Sequence, residues 1–167
     1  MANILKLYPP DISDMEALDR EYMELFVVPN PRYVAPYESV FRDRWLVPPA
    51  LMPGDSPKTT SVMIKGLVMG ESTLQVQQCY LDAGVLLTDD LPDHISNELR
   101  FMAYLWEATT NESLDDQGRL KEMRSRFRSE HLMKWLTELK ERISESDQLG
   151  FYATAIQIVE LVHQQES

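Results

Sequence analysis

The sequence predicts an all-α fold: a single globular domain spanning residues 1–167, with five or six helices and one long proline-rich loop. Three observations carry this expectation. Apolar residues recur at helical spacing in five separate stretches. Proline and glycine punctuate the chain near the ends of several of them. The chain is also long enough, at 167 residues with 44% hydrophobic content, to build a core without disulfide or metal staples.

The first helix is expected to start near Ser13 or Asp14, after a short lead-in over residues 1–11, with Met15, Leu18, Tyr22, Leu25 and Phe26 on its apolar face. Asp14, Glu16 and Asp19 suit its positive end. Pro29 and Pro31 end it, because proline lacks the N–H and clashes with the preceding turn. Seven of the ten prolines then fall between Val27 and Lys65. Tyr33, Tyr37, Phe41 and Trp45 argue against plain disorder there. Within this segment, Phe41 to Leu46 is read as a helical turn or short helix.

Ser61 to Gly70 is apolar enough for a strand, but its methionines favour an extended connector or the approach to a helix. Ser72 with Gln75 reads as a capping box. The helix beyond places Val76, Cys79, Tyr80, Ala83 and Leu87 on one face, with Gly84 as its cap. A further helix starts at Pro92-Asp93 and runs from about His94 to Ala108 or Thr109, with Ile95, Leu99, Met102 and Trp106 as its stripe. After a polar loop from Asn111 to Gly118, a long helix from about Arg119 to Ser144 carries Leu132, Leu136, Leu139 and Ile143. A final helix from about Asp147 to Gln164 is expected to bury Phe151, Ala155, Ile158, Val159 and Val162.

Composition narrows the function. The formal net charge is −11, from 27 acidic and 16 basic residues, which argues against nucleic acid as a partner and suits a cationic peptide. Acidity of this size also serves solubility alone. The basic run from Arg119 to Arg128 is a solvated helix face with pairs such as Glu122–Arg126, not a phosphate-binding patch. No stretch reaches the roughly 18 apolar residues of a membrane span. The first ten residues lack the basic start of a signal peptide. A single cysteine, Cys79, fits a reducing, cytoplasmic compartment. It belongs to an apolar stripe, with no His or Asp near it in sequence, so it reads as core and not as a nucleophile. His94, His131 and His163 lie far apart without ligand spacing, so neither metal nor organic cofactor is expected. His131 reads as structural or exposed.

Two stretches stand out, Val34 to Phe41 and Leu91 to Met102. Neither contains a nucleophile–base pair, a phosphate loop or a metal box. Together with Glu21-Tyr22-x-x-Leu25-Phe26, Met69-Gly70-Glu71-Ser72-Thr73, Val76 and Tyr80, they occur in an order that resembles the TorD/DmsD/NarJ family of chaperones for molybdenum- or tungsten-containing redox enzymes. The TorD/DmsD branch is the nearest. A weaker echo follows in Phe127, His131-Leu132, Trp135-Leu136 and Phe151-Tyr152.

The resemblance implies a cytoplasmic, non-enzymatic chaperone that holds an immature enzyme subunit until its cofactor is inserted and export is licensed. It implies a pocket for a twin-arginine leader built around Pro36, Tyr37, Glu38, Ser39, Asp93 and His94, with Tyr22, Phe26 and Glu98 as further wall residues. A leader of that kind has a cationic start and an apolar middle, so recognition calls for an acidic rim beside an aromatic groove. Asp93 is equally readable as a plain helix cap. Guanine nucleotide has been associated with some members, but no phosphate loop supports it here. Members usually carry further helices before the Tyr-x-x-Leu-Phe motif, whereas about twenty residues precede it here. A shortened chain, a short branch, or helix exchange in a homodimer would each account for this. The alternatives to a leader chaperone are a helical assembly subunit binding only folded partner protein, and a small nucleotide-dependent enzyme.

Overall fold

The computed structural model describes residues 14–47, 62–87, 90–111 and 114–164. The lead-in over residues 1–11 and residues 48–61 of the proline-rich segment fall outside them. The elements are α1 (Met15–Tyr22), continued by a wider π-type stretch (Met23–Val27), α2 (Glu38–Arg42), strands β1 (Arg44–Val47) and β2 (Val62–Lys65), α3 (Glu71–Asp82) and α4 (Ile95–Asn111). There follow α5 (Leu114–Phe127), a second π-type stretch (Arg128–Leu132), α6 (Met133–Ser146) and α7 (Phe151–Gln164). The protein is mostly α-helical, as its apolar periodicity indicates. The chain divides into two compact units, one joining the segment up to Pro36 with Leu136 onward, the other running from Tyr37 to Trp135.

In the first unit, Asp14 caps α1 by accepting the Ala17 N–H at 2.9 Å. Leu18 and Leu25 are buried, while Met15 and Tyr22 stay exposed. Arg32 ties the chain that follows: it pairs with Glu21 and Glu24 and donates to the Ser146 carbonyl at 3.0 Å. Leu136, Leu139 and Ile143 are buried as their spacing requires. The last helix begins at Phe151 and not at Asp147, whose carboxylate instead accepts the N–H groups of Leu149, Gly150 and Ala153. It also buries a different face. Ile156 and Glu160 are inside, whereas Ile158 and Val162 are exposed. With apolar residues almost all round this helix, periodicity does not pick a face, and the bonds of Glu160 to Thr137 (2.7 Å) and Lys140 (2.6 Å) do.

In the second unit, the helical turn expected at Phe41 to Leu46 lies upstream as α2, and Arg44 to Val47 is strand. It pairs antiparallel with Val62 to Lys65, placing Trp45 opposite Ile64 and Leu46 opposite Met63. Pairing across the hairpin, which local sequence does not encode, turns the connector expected at Ser61 to Gly70 into β2. The Ser72–Gln75 capping box does not form. Gly70 is the cap residue of α3, and Asp43 supplies the capping carboxylate, accepting the Ser72 N–H at 3.0 Å and the Ser72 hydroxyl. Gly70 is required there, because a Cβ would sit 1.8 Å from Asp43 Oδ2.

The end of α3 is as expected: Gly84 adopts φ 74° and the Val85 N–H returns to the Tyr80 carbonyl at 2.8 Å. The stripe of α4 is rotated from expectation. Phe101, Met102 and Leu105 are buried, while Trp106 is 52% exposed, with the Arg124 guanidinium 4.4 Å from its ring centre. The expected loop from Asn111 to Gly118 is shorter, since α5 already starts at Leu114. Phe101 packs on Tyr80 and Phe127 with ring centres 4.6 and 4.8 Å away. No helix among the described residues is long and apolar enough to cross a membrane.

Candidate functional site

The start of α2 and the start of α4 meet. Tyr37 and His94 form an antiparallel bridge, with their rings edge-to-face and 5.1 Å apart. The Glu38 N–H donates to the Asp93 carbonyl and the Ser39 N–H to Asp93 Oδ2, both at 2.9 Å. Asp93 is thus a cap, but of α2, 54 residues away in sequence, and not of the helix it precedes. Its charge sits at the positive end of α2. The loop that carries it is held by Tyr80, whose hydroxyl donates to the Pro92 carbonyl at 2.8 Å, and by Asn97, whose amide donates to the Leu91 carbonyl at 3.0 Å.

His94 is half-buried. Its Nδ1 accepts from the Ser96 N–H at 3.1 Å and faces the Ser96 hydroxyl at 2.7 Å. An accepting Nδ1 leaves the proton on Nε2, so the ring presents an N–H donor. Burial lowers its proton affinity, the Arg100 charge lowers it further, and Asp90 and Asp93 oppose this.

Behind this junction lies a buried polar relay. Glu38, Asp93 and Glu98 are all fully buried. Glu38 pairs with Arg42 and accepts from His131 Nδ1 at 3.1 Å. Cys79 Sγ lies 3.8 Å from His131 Nε2. Burial alone would lower the His131 pKa, but its bonds to Cys79 and Glu38 outweigh this and push it up to about 9. Trp135 Nε1 donates to Glu98 Oε2 at 3.2 Å. Burial first, and the Glu38 charge second, raise the Glu98 pKa well above the usual carboxyl range, which favours its neutral form. Asp93 Oδ1, Glu98 Oε1 and Ser39 Oγ are buried without a hydrogen-bond partner among the described residues.

The fold therefore brings Tyr37, Glu38, Ser39, Asp93, His94 and Glu98 together. Of these, Tyr37 and His94 keep partial exposure, while the carboxyl groups expected to form an acidic rim are turned inward. Pro36 is buried at the boundary of the first unit. Tyr22 and Phe26 belong to that unit and pack against Tyr152, the first tilted and the second edge-to-face, at 6.1 and 5.3 Å between ring centres. Sequence reasoning missed His131, Trp135 and Arg42 as partners of the two acids. Only Arg42 carried a local signal, its i+4 spacing from Glu38. Cys79 has a histidine after all, supplied from 52 residues away. Among the described residues, no group of three or more His, Cys, Asp or Glu is arranged to hold a metal ion.

The two motif stretches, Val34 to Phe41 and Leu91 to Met102, are thus folded into one junction of a mostly helical chain. Residues 11–141 match the family described as "Nitrate reductase delta subunit", and the chain belongs to that family. It is similar to the proteins named Chaperone protein TorD of Vibrio cholerae serotype O1. Identity is 25% to that of strain ATCC 39315 / El Tor Inaba N16961 and 24% to that of strain ATCC 39541 / Classical Ogawa 395, in each case over 155 residues and 89% of this chain. The chain spans 60% of the length of these relatives. No solved structure matches it.

Proposed function

We propose that this chain is a cytoplasmic, non-enzymatic maturation chaperone, working as one domain over residues 1–167 on the catalytic subunit of a molybdenum- or tungsten-containing oxidoreductase. It binds the twin-arginine leader of that subunit, or the apo-enzyme, until the cofactor is in place. Family membership supports the class. The observation that carries the site is the convergence of the two motif stretches at the Tyr37–His94 bridge. Tyr37 offers an aromatic surface to the apolar part of a leader, and His94 Nε2–H offers a donor to a peptide carbonyl. Attraction between a −11 chain and a cationic leader start is long-range and weakens with salt. In this reading Asp93 and Glu38 shape the junction and do not pair directly with arginine.

The test is calorimetric titration of a client leader into wild type and Tyr37→Ala, with melting temperatures recorded alongside. Binding by wild type and at least tenfold weaker binding by the folded variant is the expected result. Equal affinity would remove the junction from the site. No affinity of wild type for any twin-arginine leader would leave the reading in which only folded partner protein is bound, and pull-down from the native host would then identify that partner. Self-association belongs to the same proposal and is read from sedimentation at high concentration.

A further inference from the structure

On the second unit, a cavity of about 220 Å³ opens between the end of α3 and the middle of α4. The rings of Tyr80, Phe101 and Tyr104 and the side chains of Val85 and Leu87 form its walls, and Arg100 stands at its rim. A cavity of roughly 150 Å³ lined by apolar side chains is enough to take benzene. The space here holds one aromatic ring or branched aliphatic group with a short tail.

Arg100 gives the ligand its charge. Arg32, Arg42 and Arg142 are each paired with a carboxylate. Arg100 makes no ion pair among the described residues. Its bond is to Asn97 Oδ1 at 3.5 Å, the outer limit for a hydrogen bond. A guanidinium at the mouth of an apolar cavity, in a chain of net charge −11, matches an occupant with an apolar body and one carboxylate. Asn97 holds the leader junction loop from the other side through the Leu91 carbonyl. Arg100 also acts on His94 through its charge.

We propose that this cavity binds a compact monocarboxylate, its ring or branched chain between Tyr80, Phe101 and Tyr104 and its carboxylate on Arg100. The same chemistry is carried by a small arylalkanoate and by the free C-terminus of a peptide ending in an aromatic residue.

The test uses the full chain with 3-phenylpropionate, its neutral amide, and a tetrapeptide ending in phenylalanine as free acid or as amide, followed by calorimetry and NMR. A free acid of either kind should bind roughly ten- to hundredfold more tightly than its amide, as a charge-assisted pair to arginine implies. Arg100→Gln, at an exposed position, should lose that difference, whereas Arg142→Gln should keep it. Leu87→Trp, which fills the cavity, should abolish binding. Saturation with the acid should raise the pH at which the His94 ring titrates, because the bound carboxylate cancels the Arg100 charge. The arm that binds identifies the source of the carboxylate. Absence of binding by both acids at 10 mM concentrations, on the order of the weakest useful affinity, or equal binding of acid and amide, would overturn the proposal.

Discussion

Asp93 Oδ2 accepts the Ser39 N–H at 2.9 Å, so the acid of one motif caps the helix that begins in the other. This bond joins two stretches that have no local reason to meet. It also changes what a substitution at Asp93 measures. Asp93→Ala removes a buried capping acceptor and should cost about 1–3 kcal/mol of stability. Asp93→Asn keeps an acceptor and should cost less. Denaturant titration checks both, and a melting temperature lowered by about 2–4 °C per kcal/mol is expected at this size. An Asp93→Ala protein as stable as wild type would contradict the capping role.

Burial favours the neutral form of Glu98 in the fold, whereas the unfolded chain ionises it in the ordinary carboxyl range. Above the unfolded value of about 4.5, the unfolded chain releases a proton that the folded chain keeps, so stability falls as pH rises toward the raised folded value. Glu98→Gln mimics the neutral acid, removes this slope and should leave stability at pH 7 equal or higher. Infrared spectra of wild type should show a protonated carboxyl band that the variant lacks.

His131 contributes in the other direction from a normal buried histidine. Its folded pKa of about 9 lies above the unfolded value of 6.5, so its stabilisation is fully present below 6.5 and is lost as pH rises through 9. The loss between those limits should be on the order of 3 kcal/mol. His131→Gln should flatten the stability profile over this range, which urea titrations at a series of pH values would record.

Gly70→Ala should be destabilising by about 1–3 kcal/mol, since its methyl would occupy the place of the Asp43 carboxylate. Asp43→Ala vacates that place. The double variant should therefore be less destabilised than the sum of the single ones, and a double-mutant cycle reads this directly. Strict additivity would show that the two residues do not compete for space.

The helices were legible because a 3.6-residue period reports burial of one face, as at Leu132, Leu136, Leu139 and Ile143. Local caps were legible where the donor and acceptor are close in sequence, as at Asp14 and Gly84. The family resemblance, resting on ordered motifs, was legible for the same reason: it needs only the order of residues along the chain. Where a helix is apolar on almost every side, as in α7, the period pointed to a face carrying Ile158 and Val162, but these are exposed, and the Glu160 bonds decided the buried face.

The hairpin, the Asp43 cap, the His131 partner of Glu38 and the Trp135 partner of Glu98 were decided by tertiary structure alone. Each depends on residues far apart in sequence, among them Trp45 with Ile64, Asp43 with Ser72, and Glu38 with His131. A fully buried carboxyl group looks no different in a sequence from one at a rim. Only packing settles whether water or a hydrogen-bond donor faces it, and with that its charge.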